Sequence, residues 1–243
     1  MPAPEISFAI PCHNETSNLP TLLKEITAEA DKLGRAYEII VTDDCSTDGS
    51  WALLKALTKL YPTLRVLKLD RNSGESAASF TAIRAARGEI IVTMDADLQN
   101  DPHELPLFFE ALKGADCVCG NRQASRGQGD NWLKQQTSRI SNGIRSRVLQ
   151  DRVGDAGCTY RAFKRETVAD LPFFKGIHRF LPILIAFKGY RVTEVPVINR
   201  LRTGGRSHYG LFDRAGAVVD MFAVRWLKSR MIRFQVAERF PPE

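Results

Sequence analysis

The chain has 243 residues, 44% hydrophobic and 26% charged, a balance that describes a folded globular protein and excludes a disordered or fibrous one. Its net charge of +6 hides an asymmetry: residues 1–120 carry 11 Lys and Arg against 18 Asp and Glu, whereas residues 121–243 carry 23 against 10. An acidic half joined to a basic half suits a site where something anionic, such as a phosphate, a nucleic acid or a lipid headgroup, meets the second half. The N-terminus lacks the basic and apolar stretches of a signal peptide. No apolar run reaches the ~20 residues of a membrane span; Phe180 to Phe187 is too short, and Asp220 interrupts the run from Ala215 to Val224. The five cysteines, Cys12, Cys45, Cys117, Cys119 and Cys158, are scattered and lack the paired spacing of a zinc site, so they are read as reduced core residues of a cytosolic protein.

In chain order, Ile6 to Ile10 reads as a first strand running into Pro11-Cys12-His13-Asn14-Glu15. Ser17-Asn18-Leu19-Pro20 opens a helix whose apolar face is Leu19, Leu22, Leu23 and Ile26. Tyr37 to Val41 is a second strand, ending in Thr42-Asp43-Asp44-Cys45-Ser46-Thr47-Asp48-Gly49-Ser50, and a helix carrying Trp51, Leu54, Leu57 and Leu60 follows. Leu64 to Leu69, the turn Asn72-Ser73-Gly74-Glu75 and a helix over Ala77 to Ala86 form a third unit. Ile90 to Met94 is a fourth strand. This alternation predicts an α/β fold with a mostly parallel sheet between helices.

The fourth strand runs into Asp95-Ala96-Asp97-Leu98-Gln99-Asn100-Asp101-Pro102, expected to be extended, with two carboxylates at a strand's C-terminal end. Such a sparse pair suits Mg²⁺ or Mn²⁺, which share their coordination with ligand phosphates, and Gln99 offers a further neutral oxygen. Glu15, Asp43, Asp44, Asp95 and Asp97 all follow strands and are expected around one crevice. No G-x-G-x-x-G follows the first strand and no P-loop is present, which disfavours a dinucleotide oxidoreductase.

Further on, Ala115 to Cys119 reads as a strand ending at Gly120-Asn121-Arg122, and Ser125 to Asp130 as a glycine-rich loop. Trp132 to Leu149 reads as a basic helix with Lys134, Arg139, Arg145 and Arg147. Asp155 to Phe163 is a turn into a strand, Phe180 to Phe187 a buried helix, and Tyr190 to Val197 a last strand. Arg200 to Tyr209, rich in arginine and glycine, has the equipment to grip phosphate. The tail shows a stripe of Leu211, Ala215, Val218, Phe222 and Trp226, with Arg225, Lys228, Arg230 and Arg233 late. It reads either as a helix packed on the domain or as an amphipathic helix on an anionic membrane.

These pieces resemble family 2 glycosyltransferases of the GT-A fold, and within them the dolichyl-phosphate mannose synthase and bacterial polyprenyl-phosphate glycosyltransferase branch. The matching motifs are Pro11-x-x-Asn14-Glu15, Asp43-Asp44-x-Ser46-x-Asp48-Gly49, Asn72-x-Gly74, Asp95-Ala96-Asp97-Leu98-Gln99-x-x-Pro102, Gly120-x-Arg122, His178-Arg179-Phe180-Leu181-Pro182 and Arg202-x-x-Gly205-x-Ser207-His208-Tyr209. The resemblance implies a GT-A domain over residues 1–210 and a helical tail over 211–243. It implies that Pro11, His13, Glu15 and Asp44 line the base and ribose of a nucleotide-sugar. Asp95, Asp97 and Gln99 would hold Mg²⁺ or Mn²⁺ on its diphosphate, with Ala96 beside them in the donor site and Arg122, Arg202 and His208 facing phosphates. Asp97, Arg122 and Arg202 would carry catalysis, and Arg139, Arg206 and Ser207 would take the acceptor phosphate. His208 stands where the branch has Lys, and the C-terminal membrane helices of many relatives are missing.

The resemblance implies inverting transfer of one sugar from a GDP- or UDP-sugar to a polyprenyl phosphate at the cytoplasmic face of a membrane, with peripheral contact and room for a homo-oligomer or a membrane-anchored partner. An ionised lipid phosphate needs no general base; a hydroxyl acceptor would, and Asp155 is then the candidate. No Gln-x-x-Arg-Trp processivity motif is present. The alternatives are a related transferase with a hydroxyl acceptor and a non-catalytic nucleotide-sugar-binding partner of a membrane complex. Specific nucleic-acid binding is not expected, since the basic residues belong to no recognisable reader module.

Overall fold

A computed structural model describes residues 3–123, 143, 145–151, 153–200 and 211–231. Seven strands form one sheet: β1 (Ile6–Cys12), β2 (Tyr37–Asp43), β3 (Leu64–Lys68), β4 (Ile90–Thr93), β5 (Cys117–Asn121), β6 (Arg161–Lys164) and β7 (Val192–Pro196), in the order β3-β2-β1-β4-β6-β5-β7. The helices are α1 (Leu19–Lys32), α2 (Ser50–Leu57), α3 (Glu75–Ala85), α4 (Leu105–Leu112), α5 (Ile177–Phe187) and α6 (Leu211–Arg230). The mostly parallel sheet expected from the alternation is present. The exception is β6, which pairs antiparallel with both β4 and β5.

Side chains of β1 alternate between two cores, with Ile6, Phe8, Ile10 and Cys12 on one face and Ala9 on the other. Phe8 and Ile10 join α1 and α4 residues on one side, while Ala9, Ile40 and Ile91 join α3 and α5 residues on the other. The parallel register runs Ile6↔Tyr37 to Cys12↔Asp43 across β1 and β2, and Ile6↔Ile90 to Ala9↔Thr93 across β1 and β4. All three strands therefore discharge their loops at one edge of the sheet.

Some expectations change. The chain after β4 turns over residues 96–98, with Leu98 at φ +64°, so Asp95 and Asp97 do not share an extended segment. The second helix ends at Leu57, leaving Leu60 exposed. Of the helix expected over Trp132 to Leu149, residues 143 and 145–149 are helical and residues 132–142 and 144 lie outside the described residues, as does the loop from 124 to 130. Helix α6 packs on α5 through Met221 and Val224, which are buried in the second core, while Val218, Phe222 and Trp226 of the expected stripe face solvent. Among the described residues, no helix is long and apolar enough to cross a membrane.

At the opposite edge from these loops, Glu38 is 2% exposed. It accepts the Ser7 hydroxyl at 2.8 Å, Arg65 Nη1 at 2.7 Å, and the Arg87 backbone N–H, Nε and Nη2 at 2.8, 3.0 and 2.8 Å. Gly88, the next residue, donates to Ser7 Oγ and lies so close to β1 that an added Cβ would sit 2.8 Å from the backbone of Ile6 and Ser7. Burial alone would raise the Glu38 pKa, but the bonds from Arg87 and Arg65 outweigh it, and the net shift is below the ordinary value of 4.5. A lowered folded pKa means the stabilisation is complete above 4.5 and is lost as pH falls through the folded value. Glu38→Gln is expected to cost about 2 kcal/mol at neutral pH, since both arginines remain partly hydrated. It should also flatten the acid limb of a urea-denaturation pH series. Parallel acid limbs in the two proteins would show that the acid sensitivity arises elsewhere.

Candidate functional site

The loops leaving β1 and β2 are clipped together before any ligand is considered. Asn14 and Cys45 both take positive φ, at +57° and +56°, which lets the two loops face each other. The Asn14 N–H donates to Ser46 Oγ at 2.9 Å, and Asn14 Oδ1 accepts the Thr47 N–H at 2.8 Å. The Glu15 N–H donates to Ser50 Oγ, and Asp48 accepts from the N–H groups of Thr16 and Ser50 and from the Ser50 hydroxyl. Burial works against the Asp48 charge, but the Ser50 and Thr16 donors outweigh it and bring its pKa to about 2. Asn14, Ser46 and Asp48 thus build the frame, and their neighbours face the opening.

That opening is a cleft of about 460 Å³, within the range of small-molecule sites, lined by Pro11, His13, Glu15, Asp44, Asn72, Glu75, Asp95, Ala96, Asp97, Gln99, Arg122 and Thr159 among others. His13 Nδ1 donates to the Asp44 carbonyl at 2.8 Å, which leaves Nε2 to accept from the side-chain amides of Asn14 and Asn72, each at 3.2 Å. The Asp44 carboxylate accepts the N–H groups of Ser73 and Gly74 at 2.7 and 2.8 Å, fixing the turn into α3, where Gly74 has φ +86°. Asn18 Nδ2 donates to Glu15 at 2.6 Å. Asp43, expected at the crevice, is fully buried and does not line it; its carboxylate accepts the Ser46 N–H instead.

At the deep end, Asp95 accepts the Thr159 hydroxyl at 2.5 Å, and its N–H donates to Asn100 Oδ1. Burial, then the negative charges of Glu75 and Asp97, push the Asp95 pKa up to about 7 against the opposing Thr159 bond and Arg122. Asp97 accepts the Gln99 N–H at 3.0 Å, which holds the turn. Arg122 reaches the cleft from the end of β5, where Asp155 clasps it through Nε at 2.9 Å, Nη2 at 3.2 Å and its backbone N–H at 3.2 Å. Burial disfavours the Arg122 charge, but Asp155, with Cys158 and Asp95, raises its pKa overall. Asp155 is itself 1% exposed and lines no part of the cleft. Its reading as the base for a hydroxyl acceptor is therefore corrected: both oxygens are committed to Arg122.

Glu75 and Thr159 were missed in the sequence. Glu75 directly follows Asn72-x-Gly74, so its place at a helix start was a usable signal, whereas Thr159 reaches Asp95 only because β6 runs antiparallel beside β4, with the Thr93 hydroxyl bonded to the Thr159 carbonyl. Behind Asp95, His178 Nδ1 shares a 2.7 Å hydrogen bond with Ser76, and its Nε2 lies 3.6 Å from Glu75. Burial lowers the His178 pKa to about 4 against the pull of Glu75, so the ring is neutral near pH 7. Arg200, grouped above with the phosphate-gripping loop, instead binds Glu25 at 2.6 Å and Asp101 at 2.5 Å. Arg139, Arg202, Arg206, Ser207 and His208 lie outside the described residues.

Residues 7–171 match the family model described as glycosyl transferase family 2. The chain is 34% identical over 219 residues to the undecaprenyl-phosphate 4-deoxy-4-formamido-L-arabinose transferase of Edwardsiella ictaluri, covering 89% of this chain and 66% of that protein. It is 33% identical over 221 residues to the transferase of the same name from Serratia proteamaculans, covering 90% and 67%. The chain thus spans about two thirds of the length of these relatives. Among solved structures it resembles glucosyl-3-phosphoglycerate synthase of Mycobacterium tuberculosis, in complex with phosphoglyceric acid, with a TM-score of 0.67, 21% identity and coverage of 98% of this chain and 85% of that one. It also resembles a Pyrobaculum calidifontis mannosyltransferase in complex with GDP-mannose and Mn²⁺, with a TM-score of 0.65, 23% identity and coverage of 96% and 66%. The fold is accordingly the GT-A fold of these glycosyltransferases, and the chain belongs to glycosyl transferase family 2.

Proposed function

We propose that this chain transfers one sugar, with inversion, from a GDP- or UDP-linked donor to a polyprenyl phosphate, working peripherally at the membrane that holds the acceptor. The observation that carries this reading is the deep end of the cleft, where Asp95, Asp97 and Glu75 lie near an arginine, Arg122, that buried Asp155 holds in place. The names of the curated relatives support the acceptor class, and the complexes of the structural neighbours support a nucleotide donor. Residues 1–210 are assigned to the transferase domain and 211–243 to its tail.

The cleft fits a divalent ion. Asp95 is pushed toward neutrality by burial and by two neighbouring carboxylates, a field that a cation would relieve. Asp95, Asp97 and the Gln99 amide all line the cleft, an all-oxygen set of the kind Mg²⁺ and Mn²⁺ take. When bound, such an ion supplies positive charge for the donor diphosphate.

The chain's own residues do the rest. Pro11, His13, Glu15 and Asp44 form the wall assigned to the nucleoside. Arg122 cannot swing away from Asp155 without unpairing a buried carboxylate, so its charge is held fixed in the cleft, and it is assigned to the departing diphosphate, which gains negative charge. Arg202 and His208 are assigned to the same phosphates, and Arg139, Arg206 and Ser207 to the acceptor phosphate. That phosphate is ionised near neutral pH and attacks the anomeric carbon without a base, which agrees with Asp155 being committed to Arg122.

The reading is tested with purified protein, a panel of GDP- and UDP-sugars and a short polyprenyl phosphate. One donor should yield a glycosyl-phospholipid, chelation should abolish the product, and Mg²⁺ or Mn²⁺ should restore it. Donor binding without lipid product across the panel would overturn the acceptor assignment. Asp97→Asn should lower kcat/KM by about 100-fold or more while the far-UV spectrum is kept. Asp155→Asn, which frees Arg122, should lower kcat by about 10- to 100-fold with a smaller change in donor KM. An unchanged kcat in that variant would mean that Arg122 needs no such anchor.

A further inference from the structure

Helix α6 carries two apolar faces, and the fold uses one. Met221 and Val224 are buried against the second core, and Lys228 on the same side donates to the Leu149 carbonyl at 3.0 Å and lies over the Phe187 ring. The other face presents Val218, Val219, Phe222 and Trp226 at 53%, 69%, 59% and 62% exposure. Phe222 and Trp226 are one turn apart, with Val218 and Val219 one turn before, so the four form a continuous stripe. Arg225 and Arg230 are exposed on its two opposite flanks, and the Arg230 guanidinium lies 5.9 Å from the Trp226 ring.

We infer that this outward face of α6 docks on an anionic lipid bilayer, with Phe222, Trp226 and the two valines entering the interface and Arg225 and Arg230 meeting headgroups. The inference rests on the lipid-phosphate reading above and names the surface by which the enzyme reaches its acceptor. Charge decides the occupant. From Gly216 to Met231 the sole acid is Asp220, which points inward: a Cβ on Gly176 would lie 2.7 Å from its Oδ2. A second copy seated on this face would bring the same arginines and no acid to meet them, whereas anionic lipid complements them. Exposed aromatics between flanking cations are the arrangement of a helix lying in the plane of a membrane. The position suits the task, because the Gly176 N–H beside Asp220 donates to Ser76, the neighbour of cleft-lining Glu75.

The test is sedimentation of the full chain with vesicles of phosphatidylcholine containing about one third phosphatidylglycerol, run beside pure phosphatidylcholine vesicles. Binding to the anionic vesicles, weakened by salt, is expected. Phe222→Ser with Trp226→Ser should weaken it by roughly tenfold or more. Arg225→Gln with Arg230→Gln should weaken it by about fivefold per arginine. All four positions are exposed, so folding should be kept. Each variant should retain transfer to a short, water-soluble polyprenyl phosphate and lose it toward acceptor embedded in vesicles. Wild-type protein that ignores anionic vesicles yet transfers to the soluble acceptor would overturn the docking face and leave the activity standing. Vesicle binding without transfer to either acceptor would overturn the activity and leave the face standing. A dimer by light scattering that the Phe222→Ser, Trp226→Ser variant turns monomeric would assign the face to a second copy and overturn the proposal.

Discussion

Parallel pairing of β2, β1 and β4 in one register is the constraint on which the site depends. Because Cys12 lies opposite Asp43 and Ala9 opposite Thr93, the loops that carry Glu15, Asp44 and the Asp95–Asp97 turn leave the sheet at the same edge. A shift in that register would separate them and reverse the faces of strands buried on both sides. The two cores that sandwich β1 fix the register, so the packing of Phe8, Ile10 and Ile40 is indirectly what assembles the acids.

Gathering carboxylates costs free energy, and the chain offsets it unevenly. Glu38 receives two arginines, a hydroxyl and a backbone N–H and stays ionised below its ordinary range. Asp48 is held by hydroxyl and backbone donors. These are structural carboxylates. Asp95, by contrast, keeps a single hydroxyl donor against burial and two neighbouring negative charges. The contrast separates acids that stabilise the fold from an acid left under-compensated, which is the condition expected of a group that meets a cation in function.

A second arrangement lies behind the cleft. Pro182 sits inside α5 and has no N–H to give the carbonyl one turn earlier, that of His178. Arg161, 2% exposed on β6, fills the gap by donating to that carbonyl at 2.5 Å and to the Ala156 carbonyl at 3.0 Å. A helix-breaking residue and a buried cation, each unfavourable alone, thereby satisfy one another. The result fixes α5 against β6, with His178 next to Glu75 and Thr159 next to Asp95.

Much of this was legible in the chain. Alternating β-branched runs and amphipathic helices specify the parallel units, because hydrophobic periodicity and turn residues are local properties. The same locality exposed the acidic loops at strand ends, and most of the residues singled out there do line the cleft. What the sequence could not supply were the long-range partners. The antiparallel insertion of β6, the committed pair of Arg122 and Asp155, the diversion of Arg200 to Glu25 and Asp101, and the Thr159 bond to Asp95 join residues 33 to 175 positions apart. On α6, period alone leaves the stripe open between a packing face and a membrane face. Only the position of α5 decided that Met221 and Val224 are buried and that Phe222 and Trp226 face outward, because periodicity defines the faces of a helix but only tertiary contact selects which one is covered.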